Sequence, residues 1–378
     1  MNKRNLIICA AKYVHVDGGY LSRIQSELES ICLDFNVYMF IPKGSASEET
    51  FKNKVKVIQY PYVDKNDLAT YISNVKSCKS HFKRVVKEIK DPIVYCEALV
   101  GSMWILDTAR KAHLQIVFDC HGTEADEILM HPHTLKRMMY AAVLRYFEKI
   151  AVKSSELIVT VSNKQYEKWM VNKNYVKFPM IPSDIFFQPT CFREKARMEL
   201  NIPCNATVFV YCGGTAIWQM CEETIGLYKK IEETIPDSFL LVLTGSPNLF
   251  VQLINKYTIR NHRILTAKYT DVPKYLDAAD FGFCIRANNI VNNVASPTKI
   301  LEYLARNVKP VITACIGDFS EELRRLDLAC IMDDSLDNIE DIKKSDGFDG
   351  ISYVKQIRCD YTKKYVNALK EWSRKVGG

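Results

Sequence analysis

The sequence predicts an α/β protein built from two successive doubly wound domains, and three observations predict it. Short apolar runs alternate with helix-length amphipathic segments almost throughout, the pattern of a parallel sheet wrapped by helices. A length of 378 residues exceeds one ordinary core and suits two domains. A stretch with three prolines, KFPMIPSDIFFQPT at 177–190, interrupts the alternation and reads as a linker between halves of similar size.

The elements follow in order. The N-terminus, MNKRNLIICAAK, starts basic, but its apolar stretch breaks at Lys12 after about six residues. That is too short for a signal-peptide core, so Asn5–Ala10 is expected as the first strand. Asn36–Pro42, Val55–Pro61, Pro92–Glu97, Gln115–Asp119 and Glu156–Ser162 supply the other strands of the first half. Helices are expected between them at 20–32, 66–90, 102–113 and 134–154. In the last of these the stripe TLKRMMYAAVLRYFEKI (134–150) is expected to face the core. The alternation restarts with VFVYCGG (208–214), FLLVLTG (239–245), RILTAKY (263–269), FGFCIR (281–286), PVIT (310–313) and ACIMDD (329–334). The C-terminal YTKKYVNALKEWSRK reads as an amphipathic helix. The domain plan is 1–182, 183–360 and a terminal helix at 361–378.

Composition narrows the class. Hydrophobic residues make up 48% and charged residues 25%, a globular balance. No apolar run approaches the roughly 18–20 residues that span a bilayer. Thirteen cysteines without CxxC or other metal-ligand spacing fit reduced thiols in a cytoplasm, with little support for zinc. The net charge of +7 lies in residues 1–180, where 26 Lys and Arg stand against 19 Asp and Glu, while 25 of each fill 181–378. Such an excess attracts phosphates or an anionic membrane surface. It is too modest for nucleic acid, and no recognition motif accompanies it.

The strongest local signal is VNNVASPTKILEYLARNVKPVI at 291–312. Ser296 reads as an N-cap and Pro297 as the first helical residue. A capping box would then place Glu or Gln where Lys299 stands, so a cation opposes the positive end of the helix dipole. An anionic ligand resolves that conflict: the free N–H groups of the helix start, the Thr298 hydroxyl and the Lys299 ammonium would together hold a diphosphate. Glu302, on the same face, would accept hydrogen bonds from ribose hydroxyls. The plainer alternative is a surface lysine reaching into solvent. Gly213 and Gly214 in YCGGTAIWQM and Gly245 in LTGSP end two neighbouring strands, where a doubly wound sheet binds ligands. In the first half the matching turns are VDGGY (16–20) and FDCHGTEADE (118–127), in which His121 sits between Asp119 and Glu124. It is either a site residue or a structural histidine in a polar loop.

These segments together resemble the glycosyltransferases of GT-B fold, specifically the retaining nucleotide-sugar enzymes of family 4. The motifs that carry the resemblance are DGGY, DCHG, ELIVTVS, PSDIFFQP, VYCGG, LVLTG, AKYTDVPKYLDAADFGFCIR and SPTKILEYLARNVKPVI, in that order. The resemblance implies two Rossmann-like domains facing across a cleft, acceptor side first and donor side second, with the C-terminal helix crossing back onto the first domain. It also implies a donor site at Ser296, Pro297, Thr298, Lys299 and Glu302, with Gly213, Gly214, Thr215, Gly245, Tyr269 and Arg286 around it. His121 matches the histidine that the family places beside the transferred sugar, and Gly18, Gly19 and Tyr20 match the cleft and acceptor turn. His121, Lys299 and Glu302 are the residues expected to carry catalysis.

Two departures stand out. The first glutamate of the family's pair falls on Val294, leaving Asn292 or Asn293 as the polar substitute, and the usual Arg and Lys after the first strand of the second domain are absent from 213–219. The implied reaction is hexosyl transfer from a UDP- or GDP-sugar to a glycan or lipid-linked glycan, without metal or cofactor. The basic segment KSCKSHFKRVVKEIK (76–90) reads either as a surface helix with a solvated basic face or, together with the basic first half, as a face resting on anionic lipid headgroups, which would suit a cytoplasmic enzyme peripheral at the inner face of the membrane. A sugar-nucleotide epimerase of the same fold and a catalytically silent nucleotide-sugar binder are the rival readings.

Overall fold

The computed structural model describes residues 3–10, 19–51, 54–65, 67–189, 193–343 and 347–375. The chain divides into two compact units, Met1–Val161 with Gln165–Pro179 and Tyr361–Gly378, and Ser162–Lys164 with Met180–Asp360.

Unit 1 runs β1 (Arg4–Cys9), α1 (Gly19–Ile31), β2 (Phe35–Pro42), β3 (Lys56–Tyr60), α2 (Leu68–Glu88), β4 (Ile93–Glu97), α3 (Leu99–Lys111), β5 (Gln115–Cys120), α4 (Glu124–Leu129), α5 (Leu135–Ser154), β6 (Leu157–Thr160), α6 (Asn163–Glu167) and β7 (Asn174–Lys177). The strands pair in parallel in the order β3-β2-β1-β4-β5-β6-β7, so the direction of winding reverses between β1 and β4. Local chemistry sets the helix starts. The Asp67 carboxylate accepts the Thr70 N–H at 2.8 Å ahead of α2, and the Thr134 hydroxyl accepts the Arg137 N–H at 3.3 Å ahead of α5. The four-residue β7, which ends where the proline-rich stretch at 177–190 begins, is not among the expected strands. It is an edge strand with only Val176 buried, so it carries almost no apolar signal.

Unit 2 runs α7 (Arg193–Glu199), β8 (Thr207–Cys212), α8 (Cys221–Thr234), β9 (Ser238–Leu243), α9 (Pro247–Tyr257), β10 (His262–Leu265), α10 (Val272–Leu276), β11 (Phe281–Cys284), α11 (Ile290–Asn293), α12 (Thr298–Ala305), β12 (Lys309–Thr313), α13 (Phe319–Arg325), β13 (Cys330–Met332) and α14 (Gly350–Lys375). Its parallel order is β10-β9-β8-β11-β12-β13, reversing between β8 and β11. The expected strand at 263–269 stops at Leu265 and gives way to a 3-10 turn at Tyr269–Asp271. The proline-rich 177–190 stretch is not a loose linker: Phe178, Ile181 and Phe186 are buried. Helix α14 starts in unit 2 and from Tyr361 onward belongs to unit 1. There the Tyr365 hydroxyl donates to that of Tyr95 at 3.0 Å and Lys370 pairs with Asp34 at 2.7 Å.

Burial corrects one expectation about unit 1 directly. The stripe at 134–150 is not all core: Ala141 and Leu144 are buried, but Leu135, Met138, Met139, Val143 and Tyr146 are exposed. In α2 the apolar residues Phe82 and Val85 are buried, so the apolar side of the basic segment 76–90 faces the core of unit 1. Among the described residues no helix is long and apolar enough to cross a membrane.

Candidate functional site

In a doubly wound sheet the loops that diverge at the reversal point leave a crevice at the carboxyl edge. In unit 2 those loops follow β8 and β11. The first contains Gly213 to Met220 and the second contains Arg286. Helix α12 starts beside them and brings Lys299 and Glu302.

Lys299 does not reach into solvent. It is 8% exposed, its Nζ donates to Gln219 Oε1 at 2.9 Å, and it sits 4.4 Å above the Tyr211 ring. Burial lowers its pKa, and Arg286 adds to the effect by like-charge repulsion. Arg286 is 6% exposed and donates to the Trp218 carbonyl at 2.5 Å, while its Nε has no hydrogen-bond partner. Among the described residues no carboxylate lies within ion-pair reach of either cation. Two buried cationic groups without an ion pair among the described residues are a costly arrangement in an empty protein and a favourable one around a dianion.

Gly213 has φ +146°, a conformation that side-chain-bearing residues rarely adopt, and a Cβ there would lie 3.0 Å from Lys299 Nζ and displace the ammonium slightly. A Cβ at Gly214 or at Gly245 would meet open space, so nothing in the protein itself demands glycine there. Tyr211 OH donates to the Gly214 carbonyl at 2.5 Å, fixing the loop, and Thr215 follows half-buried.

Glu302 is 6% exposed. Burial raises its pKa to about 7, against the opposing Tyr269 hydrogen bond (2.8 Å to Oε1) and the charge of Lys299. Tyr269 in turn packs on Phe186 with ring centroids 5.5 Å apart. Ser296 is corrected as the N-cap. Pro297 holds that position and Thr298 is the first helical residue, while the Ser296 hydroxyl accepts the Met180 N–H at 3.1 Å. Val294, where the family has its first glutamate, is buried, and its carbonyl accepts from Ser162 at 2.7 Å. The neighbouring asparagines bond within their own turn: Asn292 donates to the Ala287 carbonyl and Asn293 bonds Asn288, at 2.9 and 3.0 Å.

Unit 1 gathers a second set of charges at its own carboxyl edge. Glu97 ends β4, Asp119 lies opposite it in β5, and His121 follows β5. His121 Nε2 lies 3.2 Å from Glu97 Oε1 and 3.3 Å from Asp119 Oδ2. From α1, Arg23 pairs with Glu27 and lies 3.2 Å from Asp119, whose Oδ2 also accepts the Tyr95 hydroxyl at 2.8 Å. Glu27, Glu97 and Asp119 are fully buried, and each of the three with His121 offers one atom within 4.8 Å of the others. That donor set has the chemistry of a cation site, yet Arg23 and a proton on His121 already supply positive charge.

The ionisation states follow from this packing. Burial pulls the His121 pKa down, but Glu97 and Asp119 outweigh it and raise it to about 10. Burial also opposes ionisation of Asp119, and Arg23 and His121 overcome it, holding that carboxyl well below the usual range. Glu27 goes the other way: burial and the charge of Glu97 push it well above the ordinary value. The packing therefore favours the protonated imidazole of His121 and the ionised form of Asp119.

Gly18 lies outside the described residues, and Gly19 and Tyr20 open α1. Glu124, the other carboxylate flanking His121 in sequence, accepts the Val100 N–H at 3.1 Å and caps α3. Sequence reasoning missed Arg23, Glu27, Glu97 and Gln219. Glu97 was findable by the rule that selected His121, a polar residue closing an apolar strand. Ala98, just after it, has φ +58° and ψ 162°, a conformation nearly confined to glycine. A pocket of about 750 Å³ lined by Glu156, Lys173 and Trp372 lies at the amino ends of β6 and β7, the edge away from this cluster.

No protein-family model matches the sequence, and no curated protein matches it. Solved structures do match. HepE of Anabaena, in complex with UDP and glucose, superposes with a TM-score of 0.70 at 11% identity, covering 98% of this chain and all 100% of that one. WaaG, a glycosyltransferase involved in lipopolysaccharide biosynthesis, gives 0.65 at 14%, covering 99% and 100%. Sucrose-phosphate synthase of Thermosynechococcus elongatus gives 0.69 at 12%, covering 99% and 94%. The shared fold spans the whole chain, and the two Rossmann-like domains of the GT-B class, expected from the motifs, are present.

Proposed function

We propose that the chain is a retaining, metal-independent hexosyltransferase that moves a sugar from a UDP-sugar to a glycan or lipid-linked glycan in surface polysaccharide or glycoconjugate biosynthesis. It would work in the cytoplasm, at the inner face of a membrane. The observation that carries this reading is the pair of buried cations without a carboxylate partner, Lys299 and Arg286, at the reversal point of the donor-side sheet. UDP is favoured over GDP because HepE, of the same fold, has been captured with UDP and glucose.

The site's chemistry follows from its residues. Lys299, Arg286 and the first N–H groups of α12 neutralise the diphosphate, whose charge grows as the glycosidic bond breaks. Glu302, ionised when bound, accepts from the ribose hydroxyls, and Tyr269 steadies it from the base side. The acceptor oxygen bonds to the anomeric carbon on the face that the diphosphate leaves, and its proton passes to a phosphate oxygen. In unit 1, His121 is held by Glu97 and Asp119 as a positively charged hydrogen-bond donor, chemistry suited to sugar hydroxyls.

The test is transfer of labelled sugar from UDP-hexoses to lipid extracts by wild type and Lys299→Met. Label entering the lipid fraction with wild type alone supports the reading. Absence of both transfer and nucleotide binding would sink it. Binding without any transfer would instead favour the silent binder, the reading that the buried Val294 supports.

A further inference from the structure

Helix α5 has two apolar faces, and only one is covered. Ala141, Leu144, Ala151 and Val152 pack into unit 1. At 100° per residue, Leu135, Met139, Ala142, Val143 and Tyr146 fall within about 100° of arc on the opposite side. Leu135 is 76% exposed, and Met139 and Tyr146 are each 62% exposed. Scattered surface apolar residues are ordinary, but a continuous exposed stripe at helical spacing marks an interaction surface.

The charges around the stripe select its partner. Lys136 flanks one side, and Arg145 and Lys149 flank the other, while the one carboxylate of α5, Glu148, is buried against Trp169. Of the acidic groups of α4, Asp126 is held by Arg145 at 2.8 Å and Lys168 at 2.9 Å, and Glu124 accepts the Val100 N–H at 3.1 Å. The whole excess of positive charge in the sequence lies in residues 1–180. An apolar stripe bordered by long cationic stems and tyrosines matches the interface of an anionic bilayer, where acyl chains lie below phosphate headgroups.

We propose that the outer face of α5 seats in the headgroup region of an anionic lipid bilayer, with Leu135, Met139, Val143 and Tyr146 in the acyl boundary and Lys136 and Lys149 on lipid phosphates. This deepens the lipid-linked acceptor reading, but its evidence is independent of the donor site. The surface is distinct from the basic segment 76–90 of α2, whose Phe82 and Val85 are buried.

The test is co-sedimentation of the full chain with phosphatidylglycerol-containing vesicles and with pure phosphatidylcholine vesicles, alongside Met139→Glu/Tyr146→Glu. Wild type should pellet with anionic vesicles, at least about tenfold more weakly with phosphatidylcholine or in high salt. The double variant should lose about tenfold or more on anionic vesicles while keeping the wild-type thermal response to UDP. Wild type remaining in the supernatant overturns the proposal, as does a double variant that pellets equally well. So does a wild-type dimer, seen by sedimentation velocity, that the double substitution dissociates and that ignores vesicles. Vesicle binding without any UDP response upholds this surface and removes the donor reading alone.

Discussion

Replacing Lys299 by methionine should separate folding from ligand binding in opposite directions. The ammonium is buried, its ionised form is disfavoured by that burial, and among the described residues no carboxylate forms an ion pair with it. Methionine has similar length and removes a desolvation cost, at the expense of one hydrogen bond to Gln219 and the contact with Tyr211. The ligand-free variant should therefore melt no lower than wild type. A charge-assisted contact to diphosphate is worth about 1.5–3 kcal/mol, so UDP affinity should fall about 10- to 150-fold. With UDP at about 100 times the wild-type dissociation constant, wild type gains about 2.7 kcal/mol, roughly 5–11 °C for a unit of this size. At a hundredfold weaker affinity the same UDP gives about 0.4 kcal/mol, or about 1 °C. Thermal shift with UDP, GDP, ADP and CMP reads both effects. A variant that melts lower while keeping its UDP shift would refute the reasoning, because Lys299 would then be structural.

Three further outcomes follow from the same geometry. Glu302 has its folded pKa raised from 4.5 to about 7, so its contribution to ligand-free stability is lost as pH rises through that window. UDP affinity should rise over the same range if the ionised form accepts the ribose, and Glu302→Gln should flatten both profiles in calorimetric titrations. His121 is raised from 6.5 to about 10, so the stability it adds is full below pH 6.5 and disappears by pH 10; urea unfolding of His121→Gln should show a shallower decline across that interval. Ala98→Gly should relieve about 1–3 kcal/mol of backbone strain after Glu97, offset by about 0.5–1 kcal/mol of added unfolded-chain entropy, for a melting temperature no lower than wild type.

How much of this was legible depends on the range of the interaction concerned. The alternation of apolar runs located the strands closely because each is a local property of four to eight residues, and the helix expected at 134–154 is found at Leu135–Ser154. Strand β7 escaped because an edge strand with one buried residue has no pattern to detect. Lys299 was visible as an electrostatic contradiction at a helix start, which is why burial without a counterion was there to be found. Ser296 was misassigned because its hydroxyl turns to the Met180 N–H, a partner distant in sequence. The Arg23, Glu27, Glu97 and Asp119 group assembles from one helix and two strands, so no spacing rule could announce it. Helix α5 misled for a different reason: apolar residues on both faces look like deep burial until solvent exposure separates them.

The most direct test of the donor assignment is a proton NMR time course of UDP-hexoses incubated with the full chain, without and with lipid extract. The account predicts that one UDP-hexose is consumed, that the transferred sugar keeps the α configuration of the donor, and that Lys299→Met leaves every donor intact. Donors unchanged by wild type under both conditions, or a product of inverted configuration, would contradict it.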